Sequence, residues 1–219
     1  CRVRTMSSDT EVIPRRSEGV STYFVGEKDA VTASDVSYDQ VRLTAKELGA
    51  LTFVSKSLAE DAVVSVAEDV AQEMAWAFAK KEDECLIDGD GTSTYGGMVG
   101  FRTKMVDGNH AGSYVTATSG DDQFTELLLA DLISMIGKLL QYAQANAKFY
   151  MSQYAWGSAF VRLLGAAGGN TISQLTAGAD KEFMGYPVVL APAMPSATTA
   201  YNLTVMLAFG DMSAATTLG

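Results

Sequence analysis

The stretch that most constrains the fold is Ser55–Gly91, SKSLAEDAVVSVAEDVAQEMAWAFAKKEDECLIDGDG, which runs without Pro or Gly until Gly89. Val63, Val66, Val70, Met74, Phe78 and Cys85 recur mostly in steps of three and four, which is one apolar helical stripe. Glu68, Asp69, Glu73, Lys80 and Glu84 fall mostly off it. Ser57 with Glu60 makes a capping box, and Asp61 adds negative charge where the helix dipole favours it. A helix over 58–86 would be on the order of 40 Å long, at about 1.5 Å per residue. Two readings follow: a long core helix, or the spine of a flat, extended subunit.

What the rest of the chain can do is bounded by its charge. A net charge of −10 argues against a nucleic-acid binder, because phosphate would be repelled. An apolar fraction of 47% with 19% charged residues excludes disorder. The cysteines, Cys1 and Cys85, make no disulfide framework and suit a reducing compartment. The longest apolar run, LTVMLAF, is far too short to cross a bilayer, and no signal peptide is visible. Both ends of the chain are expected to continue beyond the residues given.

Ahead of the helix, residues 1–13 carry no helical period and are expected to form an extended arm. Val20–Val25 and Val36–Leu48 are expected to be the strands of an exposed hairpin around GEKDAVTASD. In the second strand Val36, Tyr38, Gln40, Arg42 and Thr44 share a face, with Val41 and Leu43 opposite. Neither face is cleanly apolar, and such a hairpin is marginal alone in water. It packs either on its own domain or on another subunit.

After the helix, Asp122 is expected to cap a second one, buried along Leu128, Leu132, Met135, Ile136, Leu139 and Ala143. Lys148–Ser152 has strand composition, and Ser152 caps a third helix with Trp156, Phe160 and Leu164, stopped at Gly165. Gly185–Pro192 and Leu203–Gly210 are expected to be buried strands. Strands and helices mix without a βαβ beat, so the class is α+β.

Two features invite a catalytic reading. Asp88-Gly-Asp-Gly-Thr92 matches D-x-D-G-T of haloacid-dehalogenase-type phosphatases, in which one Asp attacks phosphorus and both help hold magnesium. That chemistry needs a buried strand to deliver the nucleophile. Here the tail of a helix precedes the motif, and Ala215 stands where a second downstream Asp is needed. The alternative is a glycine-rich turn releasing the chain from the helix. His110, in DGNHAGS, has no second histidine with which to build a zinc site or triad and is expected to be solvated.

Several segments together resemble the major capsid proteins of tailed bacteriophages, which have the Hong Kong 97 (HK97-like) fold. Val54–Ala62 is similar to the start of their spine helix, and Asp88–Gly100 to its glycine-rich exit, with Gly96 where proline is common. Phe183-Met-Gly-Tyr-Pro-Val-Val189 resembles their l-x-G-y-P-V strand, and Phe209-Gly-Asp211 their f-G-D segment. Residues 23–48 resemble the hairpin called the E-loop, and the similarities arrive in the family's order.

The resemblance implies a wedge-shaped subunit with an arm at 1–13, an E-loop hairpin at 14–50 and a peripheral domain with the spine helix at 51–98. An axial domain would span 99–200, and 201–219 would return to the peripheral domain, whose later strands would lie past Gly219. It implies no catalytic residue, cofactor or metal. Glu27, Lys28, Asp29 and Asp35 would belong to an assembly interface. Some members weld subunits through a lysine–asparagine bond. Lys28 is the candidate lysine, and its counterparts would also lie past Gly219. The implied partners are further copies in pentamers and hexamers, with scaffold, protease and portal proteins. DNA would be held by enclosure, and no membrane is involved. Assembly would take place in the bacterial cytoplasm and end in the virion. An encapsulin-type nanocompartment shell, which shares the fold, is the nearest alternative.

Overall fold

In the computed structural model the described residues are 2–27, 30–55, 57, 65–118, 122–166, 181–196, 201 and 204–218. The chain divides into two compact units, Cys1–Glu47 with Thr217–Gly219, and Leu48–Thr216.

In the first unit β1 (Arg2–Val3) pairs in parallel with β8 (Thr217–Leu218). Its main feature is an antiparallel ribbon of β2 (Thr10–Arg16) and β3 (Tyr38–Thr44), in register from Thr10↔Thr44 to Arg16↔Tyr38. The expected strand at Val20–Val25 is not formed; its place in the ladder belongs to Thr10–Arg16, which straddles the boundary expected between the arm at 1–13 and the hairpin at 14–50. Just beyond Arg16 the Ser17 amide still donates to the Ser37 carbonyl at 2.9 Å, and farther out the two limbs are joined through side chains. The Ser21 amide donates to Ser34 Oγ at 3.1 Å, and the Tyr23 hydroxyl donates to the Thr32 carbonyl at 2.9 Å. Pro14 lies opposite Gln40 inside the ladder. A two-stranded ribbon tolerates this, since each strand has an outer edge that needs no donor.

In the second unit the long helix, α1, runs Val66–Asp88 and begins beside Ser65. The expected start, with Glu60, Asp61 and Val63, lies outside the described residues. The stripe is only half covered: Val66, Val70, Met74 and Phe78 are half-buried, and Cys85 and Ile87 are buried. Burial pushes the Cys85 thiol up, more than nearby Lys81 pulls it down.

A four-stranded sheet, ordered β5-β6-β4-β7, organises the rest. Its strands are β4 (Lys148–Met151), β5 (Glu182–Phe183), β6 (Tyr186–Leu190) and β7 (Ala208–Gly210). β4 pairs in parallel with β6 and antiparallel with β7, so it is covered on both edges. Alternation along β4 feeds two cores. Phe149 and Met151, both 0% exposed, join Phe124, Leu132, Phe160 and Phe183 in the larger one. Tyr150 faces the smaller one, of Ile87, Phe101, Met194 and Ala208. β6 alternates half-buried and exposed residues, so it is not the wholly buried strand expected from its composition.

The helical layer follows Ser152, whose Oγ accepts from the Ala155 amide at 3.2 Å and donates to the Pro195 carbonyl at 2.6 Å, as a cap should. α4 (Gln153–Ala155) widens into a π-helical stretch, Trp156–Val161, before α5 (Arg162–Ala166), which passes through Gly165 rather than stopping there. Ala155, Ala159 and Phe160 are the residues this helical run places in the larger core with Phe149. α3 (Leu129–Lys138) starts later than Asp122. Phe124 is drawn into the core instead, edge-on to Tyr154 and Tyr201, and Asp131 accepts the Leu128 amide at 3.2 Å. The short helices α2 (Phe101–Met105) and α6 (Met212–Ala215) complete the unit. No helix among the described residues is long and apolar enough to cross a membrane.

Candidate functional site

The exit of α1 is where the tempting motif falls, and backbone proximity explains its glycines. A Cβ on Gly100 would lie 2.5 Å from the Ile87 carbonyl oxygen and 2.6 Å from the Gly89 nitrogen. One on Gly89 would meet the Met98 carbonyl at 2.6 Å. The two segments cross as a short antiparallel bridge: the Gly100 amide donates to Gly89 at 2.8 Å, and the Gly91 amide to Met98 at 2.9 Å. The close approach, not a left-handed backbone, demands glycine at both.

The carboxylates of this motif are turn and ion-pair groups. Asp88 ends α1 and bonds Arg102. Asp90 is exposed and accepts the Thr92 hydroxyl at 2.6 Å and amide at 2.9 Å, bonds that hold it below the usual carboxylate range, the hydroxyl most. A helix terminus and an exposed turn do not present a nucleophile as a sheet edge does. Arg102 belongs to no motif of the sequence, although it is the first cation after the glycine turn. An open groove of about 570 Å³ runs past Glu84, Asp88, Tyr95, Arg102 and Met194. His110 is tied by Nδ1 to Asp107 at 2.7 Å, and Lys104 Nζ reaches the same carboxylate at 2.8 Å. Lys104 first, then His110, holds Asp107 well below the usual range. Among the described residues no group of three or more His, Cys, Asp or Glu is placed to hold a metal ion.

The two later motifs are structural devices. In Phe209-Gly-Asp211 the ring of Phe209 lies 4.5 Å from Phe149, Gly210 has φ 153°, and Asp211 caps α6 by accepting the Ser213 amide at 2.8 Å. In Phe183-Met-Gly-Tyr186 the central residues have φ 52° and 81°, a tight turn whose hand matches strand twist.

Of the expected assembly residues, Glu27 and Asp35 are exposed, and Lys28 and Asp29 lie outside the described residues. The ribbon behind them has unlike faces. Glu11, Ile13 and Leu43 on one are half-buried, whereas the other, carrying Val12, Pro14, Arg16, Tyr38 and Arg42, is exposed throughout. Leu51 and Phe53 in the second unit are 81% and 89% exposed.

Known proteins share this arrangement. The profile of the phage capsid family matches residues 1–219. The major capsid protein of Klebsiella oxytoca phage phiKO2 is 23% identical over 187 residues, 84% of this chain. The chain spans 41% of the length of that relative. Among solved structures, the capsid of the native GTA particle superposes with a TM-score of 0.70 at 23% identity, covering 96% of this chain and 71% of that one. A structure from Microbacterium phage Oxtober96 does so with 0.61 at 16% identity, covering 97% and 68%. The shared fold is α+β and HK97-like, as the sequence motifs imply.

Proposed function

The chain belongs to the phage capsid family, and we propose on that premise that it is a wall-forming subunit of an icosahedral phage or prophage shell around double-stranded DNA. The observation that carries this is the family match along the whole of residues 1–219. The structure supports it from below. One unit carries a hydrogen-bonded ribbon with one face wholly exposed, and the other a sheet with a closed aromatic core; a ribbon of that kind suits a subunit completed by its neighbours.

On this reading the E-loop includes β2, β3 and the tip at Glu27 and Asp35, α1 is the spine of the peripheral domain, and the sheet belongs largely to the axial domain. Partners are further copies in pentamers and hexamers, then scaffold, protease and portal proteins. Assembly takes place in the host cytoplasm and the product is the virion. The acidic chain fits a container, since tight binding of packaged DNA to the wall would hinder its packing. The reading assigns no phosphoester hydrolysis: Asp88 ends a helix and pairs with Arg102 instead of standing at a sheet edge.

Negative-stain microscopy of the purified protein tests the reading, and shells or capsomers are the expected images. Monodisperse monomers at high concentration, or magnesium-dependent phosphatase turnover abolished by Asp88→Asn, would overturn it.

A further inference from the structure

We propose that the run from Gln153 to Ala166 is a two-register helix, with one surplus residue taken up in its π stretch, Trp156–Val161. Arg162 holds that residue in place, and its release straightens the run into an unbroken α-helix.

Spacing and burial ask for different registers. Trp156, Phe160, Leu163 and Leu164 stand at i, i+4, i+7 and i+8, which is one apolar stripe of an α-helix. Ala155, Ala159 and Arg162, at i, i+4 and i+7, would fall together on the neighbouring stripe. The structure instead seats Ala155, Ala159 and Phe160 at 0% exposure and turns Arg162 out to solvent. Trp156, Leu163 and Leu164 are left partly buried. A π turn bonds i to i+5 and so takes one residue more than an α turn. That extra residue carries Arg162 out of line with the two alanines. Expelling it rotates one side of the run against the other by one residue, about 100°, and brings the Trp156 stripe round to the core.

Two side chains hold the wider turn. The Ser158 hydroxyl donates to the Tyr154 carbonyl at 2.7 Å, and Arg162 Nε donates to the Ser158 carbonyl at 3.3 Å. A second nitrogen of the same guanidinium donates to the Leu127 carbonyl, just ahead of α3. Arg162 thereby ties the π stretch to a distant element. Side chains on helix carbonyls are what a ladder shows where its regular bonding has been interrupted. The outer side of the turn is open: a Cβ on Gly157 would meet no atom within 4 Å. Trp156 lies over Phe160 with 5.8 Å between ring centroids, so its indole reports which register is present. Two packings of one sequence that lie close in free energy make a switch, biased by whatever touches one of them. Copies in pentamers and hexamers have unlike neighbours, and a subunit with two registers has a shape for each. That use rests on the shell reading, whereas the registers themselves do not.

Dilute, unassembled protein carrying Trp76→Phe, which leaves Trp156 as its one indole, tests the registers apart from any shell. Arg162→Met keeps the stem and removes both carbonyl contacts. Its Trp156 emission should shift to shorter wavelength, with a loss of acrylamide quenching, as the indole moves into the core. A shift to longer wavelength, or none, makes Arg162 a mere strut or a bystander and overturns the proposal. Deleting Gly157 removes the surplus residue outright and should give a folded protein with the same blue shift. Deleting Ser134 from α3, an ordinary α-helix, should by contrast lower the melting temperature steeply, because half of its apolar stripe is rotated away. A Gly157 deletion that melts as low as the Ser134 deletion makes the π stretch a fixed requirement of the core and overturns the proposal. That comparison decides alone should Arg162→Met fail to fold. Wild-type protein that forms no shells overturns the shell reading and leaves the two registers standing.

Discussion

β4 and the β2–β3 ribbon are both strands, yet they are held for different reasons. β4 makes only short pairings, but Phe149 and Met151 are 0% exposed and Phe149 packs against four other rings. The ribbon is paired from Thr10 to Arg16 and buries almost nothing. A hydrogen bond adds about 0.5–1.5 kcal/mol net, while ordering a residue costs about 1–2 kcal/mol. A ladder alone therefore falls short, and a ribbon that persists needs a surface outside itself. Backbone pairing sets register in both regions; side-chain burial decides which region is stable by itself.

The contrast can be broken at its strong end first. Phe149→Ala should cost about 3–5 kcal/mol, through lost burial and the cavity left among Phe160, Phe183 and Phe209; urea unfolding of dilute protein measures it. Tyr38→Ala in the ribbon should stay within about 0.5 kcal/mol by the same assay. Equal losses would erase the distinction. Next, Gly100→Ala should cost about 1–3 kcal/mol, since the atoms in the way are backbone and cannot swing aside. A smaller gain is expected from Met184→Asn: a left-handed methionine 54% exposed costs about 1 kcal/mol that asparagine largely avoids. A thermal melt should rise.

Acid sharpens the comparison further. The Ser213 hydroxyl, then its amide, holds the Asp211 carboxyl below its ordinary 3.8. A lowered folded-state value means stability present above that pH and lost as pH falls through the folded value. The gap between wild type and Asp211→Asn in urea midpoints should therefore narrow between neutral pH and strong acid. The smallest change in folding belongs to the tip. Replacing 27–35 with a short Gly/Ser linker should leave the melting temperature within a few degrees, as loop length contributes about 0.6 kcal/mol per doubling. Assembly should fail, as light scattering would record. A large stability loss would place the tip in a core, and normal shells would remove it from the interface.

What was legible in the sequence follows the same division. α1, the Ser152 cap and the α+β class came from local signals: an unbroken helical period, a hydroxyl before a helix, mixed elements. β2 was hidden because Pro14 argues against a strand, and only a partner strand with a free outer edge makes it acceptable. The late start of α3 was not local either, since Phe124 is recruited by Tyr154 and Tyr201 from distant segments. The acidic tip was visible as a candidate, but the π stretch was not. Trp156, Phe160 and Leu164 space as an unbroken α-helix, and only the burial of Ala155 and Ala159 beside Phe160 calls for the extra residue.

The crossing of Gly89 over Gly100 also limits how such a chain can change over time. A Cβ on Gly100 would strike the backbone of Ile87 and Gly89, and one on Gly89 that of Cys85, Met98 and Gly100, so neither position can drift without moving backbone at the crossing. Residues 91–98 between them close a loop whose ends are already fastened by the amides of Gly91 and Gly100. Insertions there lengthen a loop that is already closed, at a cost that grows slowly with length. A lineage of this fold is therefore free to elaborate the excursion while its two anchor points stay glycine as a pair.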